Sequence, residues 1–231
     1  MAETETAAKS ASPLLVRWAW GLLILFPVVV LTLVFLVAKG GRLVPIPYML
    51  MINHSIMFLV LWLILRRGGW RWGDIGWRFG NWRQVALDVL VGVAGGALFY
   101  WLDEAAIGPA ADKICVALHW TYSGLARVHP QPSPMLFAAT IVTSTLFAGT
   151  VEESIYRGYA ITALRQRLGT AVAALVTSAF FGVLHLGFFG ASGMVANFFD
   201  GLLLAGLFLS RRRVLPAAIA HAVANVIGLF T

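Results

Sequence analysis

Glu152, His185, His221 and Asn225 are the side chains of this sequence best suited to chemistry, because each interrupts a long apolar run with a group that can bind or move a proton. A charge near the interior of a bilayer costs about 2.5–3.5 kcal/mol on insertion scales, so an acid in such a run implies a function and a partner. The stretch Val151-Glu152-Glu153-Ser154-Ile155-Tyr156-Arg157 brings two adjacent acids and a base together. On a helix, Glu153 and Arg157 lie four residues apart on one face, in the favourable acid-before-base order, and pair. Glu152 points roughly 100° away from Glu153 and has no cation near it in sequence, so it faces whatever the neighbouring helices supply. They supply two imidazoles and an amide. A carboxylate and an imidazole can jointly hold and deprotonate a water while donors on another helix steady the oxyanion that forms, so the chemistry that fits is hydrolysis. None of these groups is a good serine or cysteine nucleophile, and the sequence has no Gly-x-Ser-x-Gly elbow.

The elements that position these groups must be membrane helices. Of the 231 residues, 60% are hydrophobic and 12% charged, against about 25% charged in soluble domains. This composition describes an all-α, polytopic transmembrane bundle of about seven spans around a polar intramembrane cavity. The net charge of +7 comes from short arginine clusters between apolar runs, with no long basic arm; such clusters are topogenic signals, and nucleic acid is excluded as a partner. The single cysteine, Cys115, excludes an intramolecular disulfide. Residues 1–17 read as a short disordered cytoplasmic tail, 18–133 as an N-terminal transmembrane region with a basic, aromatic interfacial segment, and 134–231 as the core that carries the chemistry.

Residues 18–38 are long enough for a first span, for which about 20 residues are needed, and Pro27 is expected to kink it. The second, 43–65, contains Asn53 and His54, read as a hydrogen-bonding pair facing the bundle in preference to a catalytic pair. Arg66, Arg67, Arg71, Arg78 and Arg83, interleaved with Trp70, Trp72, Trp77 and Trp82, describe a segment lying at an anionic lipid surface, on the cytoplasmic side. The third span, 84–102, carries Asp88 near its interfacial end and a run from Gly92 to Gly96 suited to close helix approach. Residues 103–133 are expected outside the membrane, with room for an interfacial helix and with His119 and His129 as surface or packing residues. Pro134 opens the fourth span.

Gly169 marks the hairpin that follows. Glu152 lies 17 residues before it and His185 16 after it, so at about 1.5 Å per residue the two reach nearly the same depth and can meet. The uncharged run 168–199 holds a fifth span, a glycine-rich turn near Gly187 to Gly193, and the start of a sixth that ends before Arg211-Arg212-Arg213. Phe181 precedes His185 by four residues and packs on the same face, as Asn225 does with His221 on the seventh span, 214–230. Asp200, a second intramembrane acid, reads as support for a histidine or as packing in preference to direct catalysis. Charge bias puts the N-terminus inside, which leaves Lys39 and Arg42 on the less favoured side.

Glu152-Glu153-x-x-x-Arg157, Phe181-x-x-x-His185 and His221-x-x-x-Asn225, in this order on successive apolar segments, resemble the three motifs of the type II CAAX prenyl endopeptidases, also called the CPBP or Abi intramembrane proteases. The resemblance covers residues 134–230, and the first three spans match only in general hydropathy. It implies that Glu152 is the general base and His185 its partner in polarising water. It further implies that His221 and Asn225 stabilise the oxyanion, that Glu153 with Arg157 is a structural ion pair, and that Phe181 lines the cavity beside His185. The implied protein is an intramembrane endopeptidase of the cell membrane acting on peptide or protein substrates, with CAAX-type C-terminal processing of prenylated or other membrane-associated substrates as its specific form. The alternative in the same family is a non-catalytic scaffold or bacteriocin-immunity protein. No cofactor is expected. The competing metal reading is a zinc held by Glu152, His185 and His221, against which stands the lack of a His-Glu-x-x-His pair on one helix.

Overall fold

A computed structural model describes residues 10–38, 45–124 and 133–231, and among these every regular element is helical. Helix α1 is Pro13–Ala38 and α2 is Ile46–Arg67. A 3₁₀ turn, Trp72–Ile75, leads into α3, Trp82–Ala117. Then come α4, Pro134–Leu168, α5, Thr170–Arg211, and α6, Val214–Phe230. The first five are long and apolar enough to cross a membrane, and α6 is a shorter apolar helix. The chain is an integral membrane protein.

Two glycines set the topology of the C-terminal half. At Gly169, φ 79° and ψ 161° end α4 and start α5, so the expected hairpin forms where it was read. Gly190, at φ 73° and ψ −166°, breaks α5 into two halves, in a backbone region that is nearly glycine-only. Gly182 of the first half faces Met194 and Phe198 of the second, and Gly201 faces Ser178, so the halves run back along each other. The Ala191 N–H donates to the Tyr122 carbonyl at 2.8 Å and ties the turn to the chain after α3. With the halves of α5 counted separately, seven apolar segments are present among the described residues, in line with the expected seven, and the glycine-rich turn is centred on Gly190.

One end of the bundle is basic. The Ala11 N–H bonds Gln166 Oε1 at 2.7 Å and Tyr159 Oη donates to the Leu15 carbonyl at 2.6 Å, which puts the start of α1 beside the end of α4. The Val214 N–H donates to the Gly76 carbonyl at 3.0 Å. Buried Asp88 pairs with Arg211 at 2.8 Å and Arg213 at 2.9 Å. Arg66, Arg67, Arg71, Arg78, Arg83, Arg165, Arg167 and Arg211 to Arg213 therefore share this end. The segment between α2 and α3 is more deeply seated than an interfacial ribbon: Trp70 is buried, and Trp77 Nε1 donates to Ser154 Oγ at 2.8 Å, while Phe79 and Trp82 remain exposed.

Packing follows small residues and stripes, since apolar contact alone gives helices no preference over lipid. In α1, Leu15, Ala19, Leu22, Phe26 and Val30 are buried at three- and four-residue spacing. In α3, Asp88, Gly92 and Gly96 form the buried face, and the two glycines meet Pro216, Ile219, Ala220 and Val223 of α6. The opposite face, with Leu87, Leu90 and Leu98, is exposed.

Three expectations are corrected or sharpened. Residues 13–17, expected as tail, are the first turn of α1. Residues 103–117, where room for an interfacial helix is expected, are helical and run on from α3 without a break, through a π-turn at Asp103–Ile107 and the segment Gly108–Ala117. Third, α4 is not a plain α-helix, since it is π-helical over Thr143–Glu152 and Ser154–Ile161. Thr140, Thr143, Thr145 and Ser154 each donate a hydroxyl to the carbonyl four residues back, and such back-bonds compete with the α-helical ladder and loosen it. His119 is exposed, as expected, at the end of α3, and Cys115 is buried there. Lys39, Arg42 and His129 lie outside the described residues.

Candidate active site

Helices α2, α3, α4, α5 and α6 enclose a cavity of about 810 Å³ whose lining includes His54, Glu152, Phe181, His185, Asp200, His221 and Asn225. Each of the four residues expected to do chemistry is there. The hairpin at Gly169 delivers Glu152 and His185 to one cavity, as their equal distance from the turn required, and α6 brings His221 and Asn225 across from the Arg213 turn.

The wide π-helical turn of α4 aims its two glutamates at different partners. Glu153 is fully buried, and its Oε1 accepts from Arg157 Nη1 at 3.1 Å and from His221 Nδ1 at 2.9 Å. Arg157, equally buried, also donates from Nη2 to the Gly201 carbonyl at 3.1 Å, and its guanidinium lies 4.2 Å from the centre of the Phe181 ring. The expected ion pair is therefore present, and it does more than fix its own helix: it joins α4 to both halves of α5 and orients His221.

Glu152 is 4% exposed and is not without a local partner. Its Oε1 lies 2.9 Å from Nε2 of His54 on α2. Its Oε2 is buried and carries no hydrogen bond. The sequence leads one to expect His54 as half of a structural pair with Asn53. Instead it reaches the candidate base directly, while both amide atoms of Asn53 are buried without a hydrogen-bond partner. Two adjacent polar residues in the second apolar run were the available signal, but no count along the sequence could match α2 to the depth of Glu152, because residues 66–133 intervene.

His185 donates from Nδ1 to the Phe181 carbonyl at 2.8 Å, since a carbonyl can only accept. That leaves Nε2 as the lone-pair nitrogen of the neutral ring. Phe181 packs against both histidines, 4.6 Å from the His185 ring and 5.7 Å from the His221 ring, so it lies beside His185 as expected. Asn225 donates from Nδ2 to the Ser144 carbonyl, at 2.8 Å, within the π-helical stretch of α4. Its amide keeps a second N–H. Gly149 allows this approach, because a Cβ there would lie 2.7 Å from the Ala218 carbonyl. Asp200 lines the cavity with Oδ1 buried and unbonded, and it makes no hydrogen bond to a histidine among the described residues.

Among the described residues no group of three or more His, Cys, Asp or Glu is arranged to hold a metal ion. Of the atoms a zinc would need, Glu152 Oε1 is engaged by His54 and His221 Nδ1 by Glu153, while Glu152 Oε2 carries no hydrogen bond.

Residues 134–227, which carry all three motifs, match the family described as type II CAAX prenyl endopeptidase Rce1-like. No curated protein and no solved structure gives a match. The matched segment begins at the first residue of α4 and ends in the last turn of α6, so it contains the four catalytic candidates and their hairpin but not His54. Over this segment, which is less than half of the chain, the protein is similar to the type II CAAX prenyl endopeptidases.

Proposed function

We propose that this protein is an intramembrane endopeptidase that cleaves peptide bonds with water activated by Glu152 and His185, without a metal. The observation that carries the reading is one cavity holding a buried carboxylate oxygen with no hydrogen bond, Glu152 Oε2, together with His185, His221 and Asn225. In this mechanism a water donates one hydrogen bond to Glu152 Oε2 and another to His185 Nε2. Its oxygen adds to the scissile carbonyl as its proton passes to Glu152. The carbonyl oxygen becomes an oxyanion, which His221 and the remaining Asn225 N–H stabilise. The C–N bond then breaks, and the departing nitrogen takes the proton from Glu152, which regenerates the carboxylate. Prenylated C-terminal peptides are the first substrates to try, as the family's activity suggests.

We further propose that the basic end is cytoplasmic, because arginine clusters next to spans are retained inside. The cavity's exposed rim, with Glu104, Asp112, Ser123 and Thr231, is at the other end. Substrates then enter from the non-cytoplasmic side.

Purified protein in detergent is incubated with quenched fluorescent peptides, prenylated and unmodified, beside Glu152→Ala and a chelator-treated sample. Cleavage by the native and chelated protein but not by Glu152→Ala supports the reading. Cleavage by Glu152→Ala overturns the general-base role, and loss on chelation overturns the metal-free one. For sidedness, Ser123→Cys and Arg71→Cys are each placed in a Cys115→Ala background and labelled in intact cells with a membrane-impermeant maleimide. Labelling of the Ser123 position alone supports the orientation, and labelling of the Arg71 position alone reverses it.

A further inference from the structure

We infer that His54 is a positioning residue of the catalytic centre: it pins Glu152 by one oxygen so that the other is left for water. The inference rests on the catalytic role proposed for Glu152, and it extends the centre to α2, outside the segment 134–227 that matches the family model.

Both ring nitrogens of His54 are committed. Nδ1 donates to the Leu50 carbonyl, one turn back on α2, at 2.7 Å. Nε2 meets Glu152 Oε1 at 2.9 Å. Because the carbonyl can only accept, Nδ1 carries a proton, and the bond to Glu152 holds a second one shared between imidazole and carboxyl. The ring plane is also fixed. Phe26 of α1 packs edge-on against it with centroids 5.3 Å apart, and Phe26 stacks on Tyr156, four residues after Glu152, at 6.1 Å. His54 is 3% exposed and lines the cavity.

A carboxylate on a three-torsion side chain has two equivalent oxygens and must be held for one of them to serve as base. Here Oε1 is held and Oε2 is not bonded. The neighbouring glutamate gives the contrast. Glu153 also meets a histidine, His221, but on the same oxygen it carries the buried Arg157 as counter-ion, which makes that pair structural. No arginine or lysine meets Glu152 among the described residues, so His54 is its sole hydrogen-bond partner there.

Peptidase kinetics on the full-length protein test this with His54→Ala, His54→Gln and Glu152→Ala, each also followed by thermal unfolding. Misplacing a reacting group by about 1 Å costs on the order of 10²-fold in rate. His54→Ala is therefore expected to lower kcat by about 10²-fold with KM changed by less than about threefold, since His54 acts on the base and not on substrate binding. Glutamine places an amide N–H where Nε2 stands, so His54→Gln is expected to recover at least about tenfold of that loss. Two results overturn the inference: a kcat for His54→Ala within about threefold of the native protein, or a folded His54→Gln that is no better than a folded His54→Ala. If His54→Ala does not fold, His54→Gln decides alone, with activity within about tenfold of native supporting the role and less than about a hundredth refuting it. Activity retained in Glu152→Ala would instead remove the catalytic reading beneath it, a separate and distinguishable result.

Discussion

Replacing Arg157 by methionine should be among the most damaging single changes in this protein that replace none of the four candidate catalytic side chains. Arg157 is fully buried and bonds Glu153 at 3.1 Å and the Gly201 carbonyl at 3.1 Å. Methionine fills much of the same volume, so little of the loss comes from a cavity. What is lost is the counter-ion of a carboxylate that is itself 0% exposed, leaving His221 as its only other ion-pair partner among the described residues. Removing one member of a buried pair costs about 3–5 kcal/mol, because the remaining charge is neither solvated nor compensated. The assay is equilibrium unfolding of the detergent-solubilised protein, followed by helical circular dichroism while a denaturing detergent is titrated in. Glu153→Gln combined with Arg157→Met should be less damaging than the sum of the two single changes. The double variant buries no orphan charge, and the new amide oxygen still accepts from His221 Nδ1. A coupling of about 2 kcal/mol is expected. A loss below about 1 kcal/mol in Arg157→Met, or strict additivity in the double variant, would refute the reasoning.

Asp88→Asn should cost less, about 1–3 kcal/mol in the same titration, because its partners Arg211 and Arg213 are 29% and 16% exposed and can turn to water. Gly190→Ala puts a Cβ on a backbone at φ 73° and ψ −166°, against the Tyr122 carbonyl and Ser123. It should destabilise by at least about 1–3 kcal/mol and is measured by the drop in unfolding temperature. Asn225→Ala should lower kcat by about 10²–10³-fold with KM nearly unchanged, the signature of a donor used only in the transition state, and steady-state cleavage of the fluorescent peptide measures it.

The sequence by itself determined the membrane class, the number of apolar segments, the hairpin at Gly169 and the turn near Gly190, because each depends on local composition or on the conformational freedom of glycine. It also determined the Glu153–Arg157 pair, since partners four residues apart on one helix need no tertiary information. The equal depth of Glu152 and His185 was legible for a related reason: they flank a single turn, and rise per residue converts counting into distance. The tertiary structure decided what counting could not. That His54 meets Glu152 depends on how α2 leans against α4, across 98 residues of chain. That His221 bonds Glu153, and Asn225 the Ser144 carbonyl, depends on a π-helical α4, whose wider turn shifts the faces an α-helix would present. The continuation of α3 through Asp103–Ile107 was hidden as well, because acidic residues that read as the end of a span lie here along a cavity, where a polar group is tolerated within the bundle. Periodicity specifies which face of a helix is buried, but only the packed bundle specifies against which partner.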